Sequence, residues 1–195
     1  VIRGFHTELE TVYEEKNMSL TQDGRKVIDA ILAALYTKHP YGTQTILGSQ
    51  DHLKNPSITN IKNFYKQWYV PNNMAICMSG DFDYDEAMDV IEKYFGDMQP
   101  NKDLQMLDFE TEPEITAPVE REVMGLESEN VTMAWRLPGA TSDEALMLEV
   151  VDAIMNNGKA GIIDLNLLQE QKLLSAYSFP YAMADYTSYI LQGPP

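Results

Sequence analysis

The sequence predicts an α+β fold, an antiparallel sheet with helices packed on it. Three observations carry that reading. "KVIDAILAALY" places Val27, Ile31, Ala34 and Leu35 at i, i+4, i+7 and i+8, a broad apolar helix face. "VTMAWRLPG" alternates Val131, Met133, Trp135 and Leu137 with Thr132, Ala134 and Arg136, the period of a strand. Between the two lies an acidic, proline-bearing stretch at 97–118, where the composition shifts and one packed region gives way to another.

The elements follow in order. Residues 7–36 read as helix, broken or bent by "TQDG" at 21–24. "KHPYGTQTILG" is a loop punctuated by Pro40 and two glycines. Ser57 can cap a helix from Ile58 to about Tyr69, with Ile58, Ile61, Phe64 or Tyr65, and Trp68 or Tyr69 on one side. After the "VPNN" turn, the nearly all-apolar "MAICMSG" has the pattern of a strand covered on both faces. Asp83 and Glu86 resemble a capping box, and that helix ends at Gly96. Beyond the linker, "VEREVMG" and "VTMAWRLPG" read as strands. Thr141 and Glu144 form a second capping-box candidate, for a helix ending near Met155 at "NNG". A shorter helix follows in "GIIDLNLLQEQ", then two strands, "LSAYSFPYAMA" and "YTSYILQGP".

The bulk numbers narrow the function. A hydrophobic share of 44% with 23% charged residues indicates a globular chain. The 14 basic and 30 acidic residues leave a net charge of −16, so no basic patch points to nucleic acid. An acidic surface favours basic peptides or cations, and it also serves solubility alone. Cys77 is the single cysteine, which rules out an internal disulfide, and its apolar surroundings predict a buried small hydrophobe. No run approaches the ~18 apolar residues of a membrane span. Residue 1 is Val, which suggests a processed chain or an excised piece, and the compartment stays undecided.

The acidic stretch "ELETVYEE" is the first candidate site. Seven helical residues return to within ~20° of the starting direction, ~10.5 Å along the axis, so Glu8 and Glu15 share a face. Glu10 and Glu14 share another. Geometry alone equally fits a solvated acidic face. His6 and Glu10 at i, i+4 have chelating spacing but lack a third local ligand. "NNGKAG" lacks the phosphate-loop frame, and no nucleophile-elbow, paired-cysteine or calcium-loop motif occurs.

Taken in order, "ELETVYEEKNMSLTQDG", "HPYGTQTILGSQDHL" and "FYKQWYVPNNMAICMSGDFDYDEAMDVIEKYFG" resemble the pitrilysin/insulinase (M16) family of zinc metallopeptidases. The "DAIMNNG" helix end and the "LL…AYSF" strand resemble the start of that family's second homologous domain. The resemblance implies a half-domain at 1–98, a linker at 99–117 and a second, truncated domain at 118–195. In active members an H-x-x-E-H helix upstream supplies two zinc ligands and the general base. The resemblance implies Glu15, second of the E-x6-E pair, as the third zinc ligand, and Glu8 as a catalytic, supporting acid beside the metal. No H-x-x-E-H occurs in these 195 residues, and Thr7 stands where the family often has a basic residue. A catalytic zinc needs three protein ligands. The expectation is therefore a fragment inert by itself, whose parent binds zinc and cleaves peptides or unfolded segments. The missing upstream segment and a second half-enzyme, fused or separate, would be its partners. The competing expectation is a non-catalytic scaffold or substrate-binding half.

Overall fold

The helix at the start of the chain stops where "TQDG" begins. In the computed structural model, which describes residues 2–194, α1 spans Ile2–Thr21 and α2 spans Asp23–Leu35. Gln22 between them is extended, with φ −88° and ψ 116°. The Thr21 and Ser19 hydroxyls donate to the Met18 and Lys16 carbonyls (2.7 and 2.8 Å). Such short polar side chains compete with the helix ladder near its end. Three helices follow: α3 (Pro40–Thr43), α4 (Gln50–Lys54) and α5 (Ile58–Trp68). A 3-10 turn at Pro71–Asn73 leads to α6 (Tyr84–Phe95). Then come β1 (Val131–Pro138), α7 (Asp143–Met155), a π-helical turn at Asp164–Leu168, β2 (Tyr177–Ala182) and β3 (Tyr186–Gly193). No described helix is long and apolar enough to cross a membrane.

The fold class is α+β. The three strands form one antiparallel sheet in the order β1-β3-β2. Trp135 pairs with Tyr189, which pairs in turn with Pro180. Successive side chains of β3 point to opposite faces. On one face Asp152 of α7 accepts from the Ser178 and Tyr189 hydroxyls (2.6 and 3.1 Å). On the other, the Tyr36 hydroxyl at the end of α2 meets Ser188 at 2.8 Å. Tyr36 and Ile190 are fully buried there.

Local signals placed several caps. Ser57 accepts from the Asn60 N–H at the start of α5, and Asp83 accepts from Asp85 and Glu86 N–H at the start of α6. Five readings need correction. Pro40–Thr43 forms a helical turn inside the stretch read as loop, capped by the His39 side chain. The cap of α7 is Ser142, which accepts from the Ala145 N–H, rather than Thr141; Ser142 also donates its own N–H to the Gly139 carbonyl, setting the turn one residue later. Residues 119–125 and 74–80 are not strands. The latter segment is exposed, Cys77 included, because no described residue pairs with its backbone or covers it. In β1 the apolar Val131, Met133 and Trp135 are about half exposed, while Thr132, Ala134 and Arg136 face inward. The inward face is the one on which α2 ends; α7 reaches Tyr189 and Ser178 on the other face, one and two strands away from β1.

The described residues up to Gln50 and from Glu110 onward form one compact unit, which holds the sheet. Asp51–Phe109 form a second. Within the second, Asn101 and Asn72 bond reciprocally through side chain and backbone (2.8 and 2.9 Å), and Val70 is its only buried residue.

Candidate functional site

α1 is one unbroken helix from Ile2 to Thr21, so Glu8 and Glu15 do share a face. That face is solvent-exposed at both positions. A neighbouring flank of the helix, ~100° around from Glu15, carries Lys16, which is 9% exposed. Among the described residues neither Glu8 nor Glu15 forms a hydrogen bond or ion pair within the chain. A shallow open depression on the outer side of α1 is lined by Thr7, Glu10, Thr11, Glu14, Glu15 and Met18. Glu15 thus shares its depression with the two acids of the other pair, and Glu8 lies outside the lining.

The fit to zinc can be judged from these donors. A carboxylate with no internal partner, such as Glu15, is a suitable oxygen ligand. Among the described residues, however, no group of three His, Cys, Asp or Glu can hold a metal ion. The described residues therefore do not bring together the three donors that a catalytic zinc needs. His6 and Glu10 are both exposed and form no ion pair among the described residues. His39 is buried, 2% exposed, within a cage of Tyr36, Tyr41 and Tyr186, and its Nε2 lies 3.4 Å from Asp185 Oδ2. Its Nδ1 accepts from the Tyr41 N–H, which makes it a structural histidine. His52 is exposed.

What the sequence reading missed are three carboxylates used as internal clasps. Glu112 accepts from the backbone N–H groups of Thr37, Lys38 and His39 (3.0, 2.7 and 2.6 Å) and from the Thr37 hydroxyl (3.1 Å). Its own N–H donates to the Tyr186 hydroxyl at 3.0 Å. Arg136 Nη1 lies 3.6 Å from Glu112 Oε2, and the same guanidinium donates to the Leu35 and Pro113 carbonyls. Burial alone would raise the Glu112 carboxyl. The converging backbone donors and the Thr37 hydroxyl outweigh it and bring the pKa from 4.5 to about 2. The clasp fastens the end of α2 to residues 110–113, β1 and β3.

Asp23 makes a second clasp at the other end of α2. It accepts from the N–H groups of Leu126 and Glu127 and pairs with Lys26 at 2.8 Å. The Lys26 hydrogen bond, then those two N–H groups, lower its pKa to about 2. Residues 112–127 are therefore pinned at both ends of α2. The third clasp sits in the "NNGKAG" loop. The N–H groups of Asn157, Lys159 and Gly161 do converge on an anion, but it is the chain's own Asp164 (3.0, 3.1 and 3.0 Å). Burial raises its pKa, and these donors with that of Gly158 lower it overall. Gly158 adopts φ +74°, a backbone that glycine alone holds easily, to turn the loop inward.

Comparison with known proteins places this geometry. A family model described as "Peptidase M16 inactive domain" matches residues 57–193. The zinc protease PqqE of Helicobacter pylori is 24% identical over 162 residues, covering 80% of this chain and 36% of that protein. The crystal structure of a protease from Helicobacter pylori superposes over 98% of this chain and 48% of its own, with a TM-score of 0.73 and 20% identity. A chain of Complex III2 from Candida albicans superposes with a TM-score of 0.73 at 16% identity, over 96% of this chain and 46% of that one. The matched part thus spans about a third to a half of the length of these three relatives.

Proposed function

Because the chain belongs to the M16 peptidase family, we propose that it is one part of a longer zinc peptidase that hydrolyses peptides or unfolded polypeptide segments. The division into a half-domain at 1–98, a linker at 99–117 and a second domain at 118–195 belongs to the same reading. So does a partner half-enzyme, on the same chain or another. In the intact parent, Glu15 contributes one zinc ligand, and two further donors come from outside this chain. Bound zinc would polarise the scissile carbonyl and lower the pKa of its water. Glu15 supplies a carboxylate held on a continuous helix, with no hydrogen-bond or ion-pair partner among the described residues. Glu8, two turns away on the same face, acts on the site as a supporting acid. The observation that carries this reading is the exposed Glu8–Glu15 face on an unbroken helix, with no internal partner for either carboxylate among the described residues.

Among the described residues there are too few clustered metal donors for the chain to be catalytic by itself. The test sets the isolated chain beside its intact parent, each with zinc and an unstructured peptide. The parent should cleave, and the isolated chain should not. Cleavage by the isolated chain at the parent's rate would overturn the proposal. A second reading is a scaffold or substrate-binding half without a working metal site. The description of the matching family model as an inactive domain supports it, and the fold is equally that of a chain of Complex III2. A parent that neither retains zinc nor cleaves any peptide would decide for that second reading.

A further inference from the structure

The residue after Glu15 is the least expected on α1. Lys16 is 9% exposed, yet its ammonium lies within 4 Å of no carboxylate among the described residues. Its one hydrogen-bond partner among them is the Thr45 hydroxyl, at 3.3 Å. That hydroxyl in turn donates to the Gly48 carbonyl at 3.0 Å. The Gly48 N–H donates back to the Thr45 carbonyl at 2.9 Å, closing a turn in which Gly48 holds φ +70°. One residue further along α1, Asn17 accepts from the Gln50 side chain at 2.9 Å. The turn at 45–48 and Gln50 therefore grip two consecutive residues of α1, directly after Glu15.

Seating a largely buried lysine against a single hydroxyl gains little, and an apolar side chain of similar length would serve stability as well or better. A directional hydrogen bond supplies something else: it fixes rotation. Successive helical side chains point ~100° apart, so seating Lys16 on Thr45 turns Glu15 outward to one flank. Helix α3 delivers the turn, and its path begins at residues 37–39, which the Glu112 clasp holds.

We infer that Lys16, seated on the Thr45–Gly48 turn, is a positioning residue that sets the rotation of α1 and thereby the aim of Glu15. This rests on the reading of Glu15 as a zinc ligand. Residues that orient a metal ligand typically change metal affinity ~10–100-fold when lost.

The test is made in the intact parent with Lys16→Met, Thr45→Ser and Glu15→Gln, reading the rate of zinc loss to a chelator, thermal stability and kcat. Met fills the space of the lysine stem without fixing its direction. Lys16→Met should release zinc ~10–100-fold faster, with Tm unchanged or raised. Thr45→Ser keeps the acceptor and should behave as the unaltered protein. If Lys16→Met does not fold, Gln50→Ala carries the test, with an expected loss of about 10-fold, the lower end of that range. Unchanged zinc release in Lys16→Met, with only Tm altered, would overturn the positioning role while leaving Glu15 a ligand. Unchanged release in Glu15→Gln would overturn the ligand reading, and this inference with it.

Discussion

Replacing Glu112 with Ala should be among the most damaging single changes in this chain. The side chain is fully buried and holds three consecutive backbone N–H groups, the Thr37 hydroxyl and the approach of Arg136. Removing it strands Arg136 without its carboxylate and leaves the donors of residues 37–39 unsatisfied. Breaking a buried charge pair from one side costs about 3–5 kcal/mol, and the orphaned N–H groups place the expectation in that range rather than below it. For a chain of this size that corresponds to a fall in Tm of roughly 10 °C. Glu112→Gln keeps an acceptor but loses the charge, and should cost roughly half as much. The carboxyl's pKa lies below its ordinary value, so its contribution is fully present above about pH 4.5 and is lost as the pH falls toward about 2. Thermal unfolding followed by circular dichroism, for the three proteins at pH 7 and down through that window, checks both claims. The gap between the unaltered protein and Glu112→Gln should close with acid. A Glu112→Ala protein within about 1 kcal/mol of the unaltered one at pH 7 would refute the clasp.

Two further outcomes are expected. A Cβ on Gly42 would run into the carbonyl oxygens of Tyr36 and Leu32, so Gly42→Ala should cost about 1–3 kcal/mol by overpacking; denaturant titration would show it, and an unchanged midpoint would contradict it. Ser142→Ala should cost about 1 kcal/mol as the loss of the α7 cap, whereas Thr141→Ala should stay within about ±0.5 kcal/mol; the reverse order would return the cap to Thr141.

Much of the helical structure was legible because its signals are local. Ser57 and Asp83 cap from within the sequence they start, and "TQDG" breaks the helix where it stands. The two C-terminal strands were legible for the same reason, each bounded by its own turns. Residues 74–80 were misread because apolar composition records a tendency to be covered, whereas a strand exists only with a ladder partner. The Ser142 cap was missed by one residue because two hydroxyls are adjacent, and the Gly139 turn decides between them. Glu112 left no local signal at all. An acid between threonine and proline in an acidic stretch looks solvated, and the backbone N–H groups that it holds lie more than seventy residues away. Asp164 was not legible: "NNGKAG" lacks the phosphate-loop frame, and nothing local shows that its backbone N–H groups converge on a carboxylate of the chain itself. The E-x6-E face was legible as geometry, and the fold places it on one solvent-facing side of α1.

The central claim is that this face is aimed at a metal. Its most direct test is the zinc content of the intact parent with Glu8→Gln, Glu10→Gln, Glu14→Gln and Glu15→Gln made one at a time. Glu15→Gln should lose zinc and peptide cleavage together. Glu8→Gln should keep much of its zinc and cleave slowly, and the other two should match the unaltered protein. Zinc lost in Glu14→Gln but kept in Glu15→Gln would shift the ligand by one residue, and zinc kept in all four would reduce the acidic stretch to a solvated helix face.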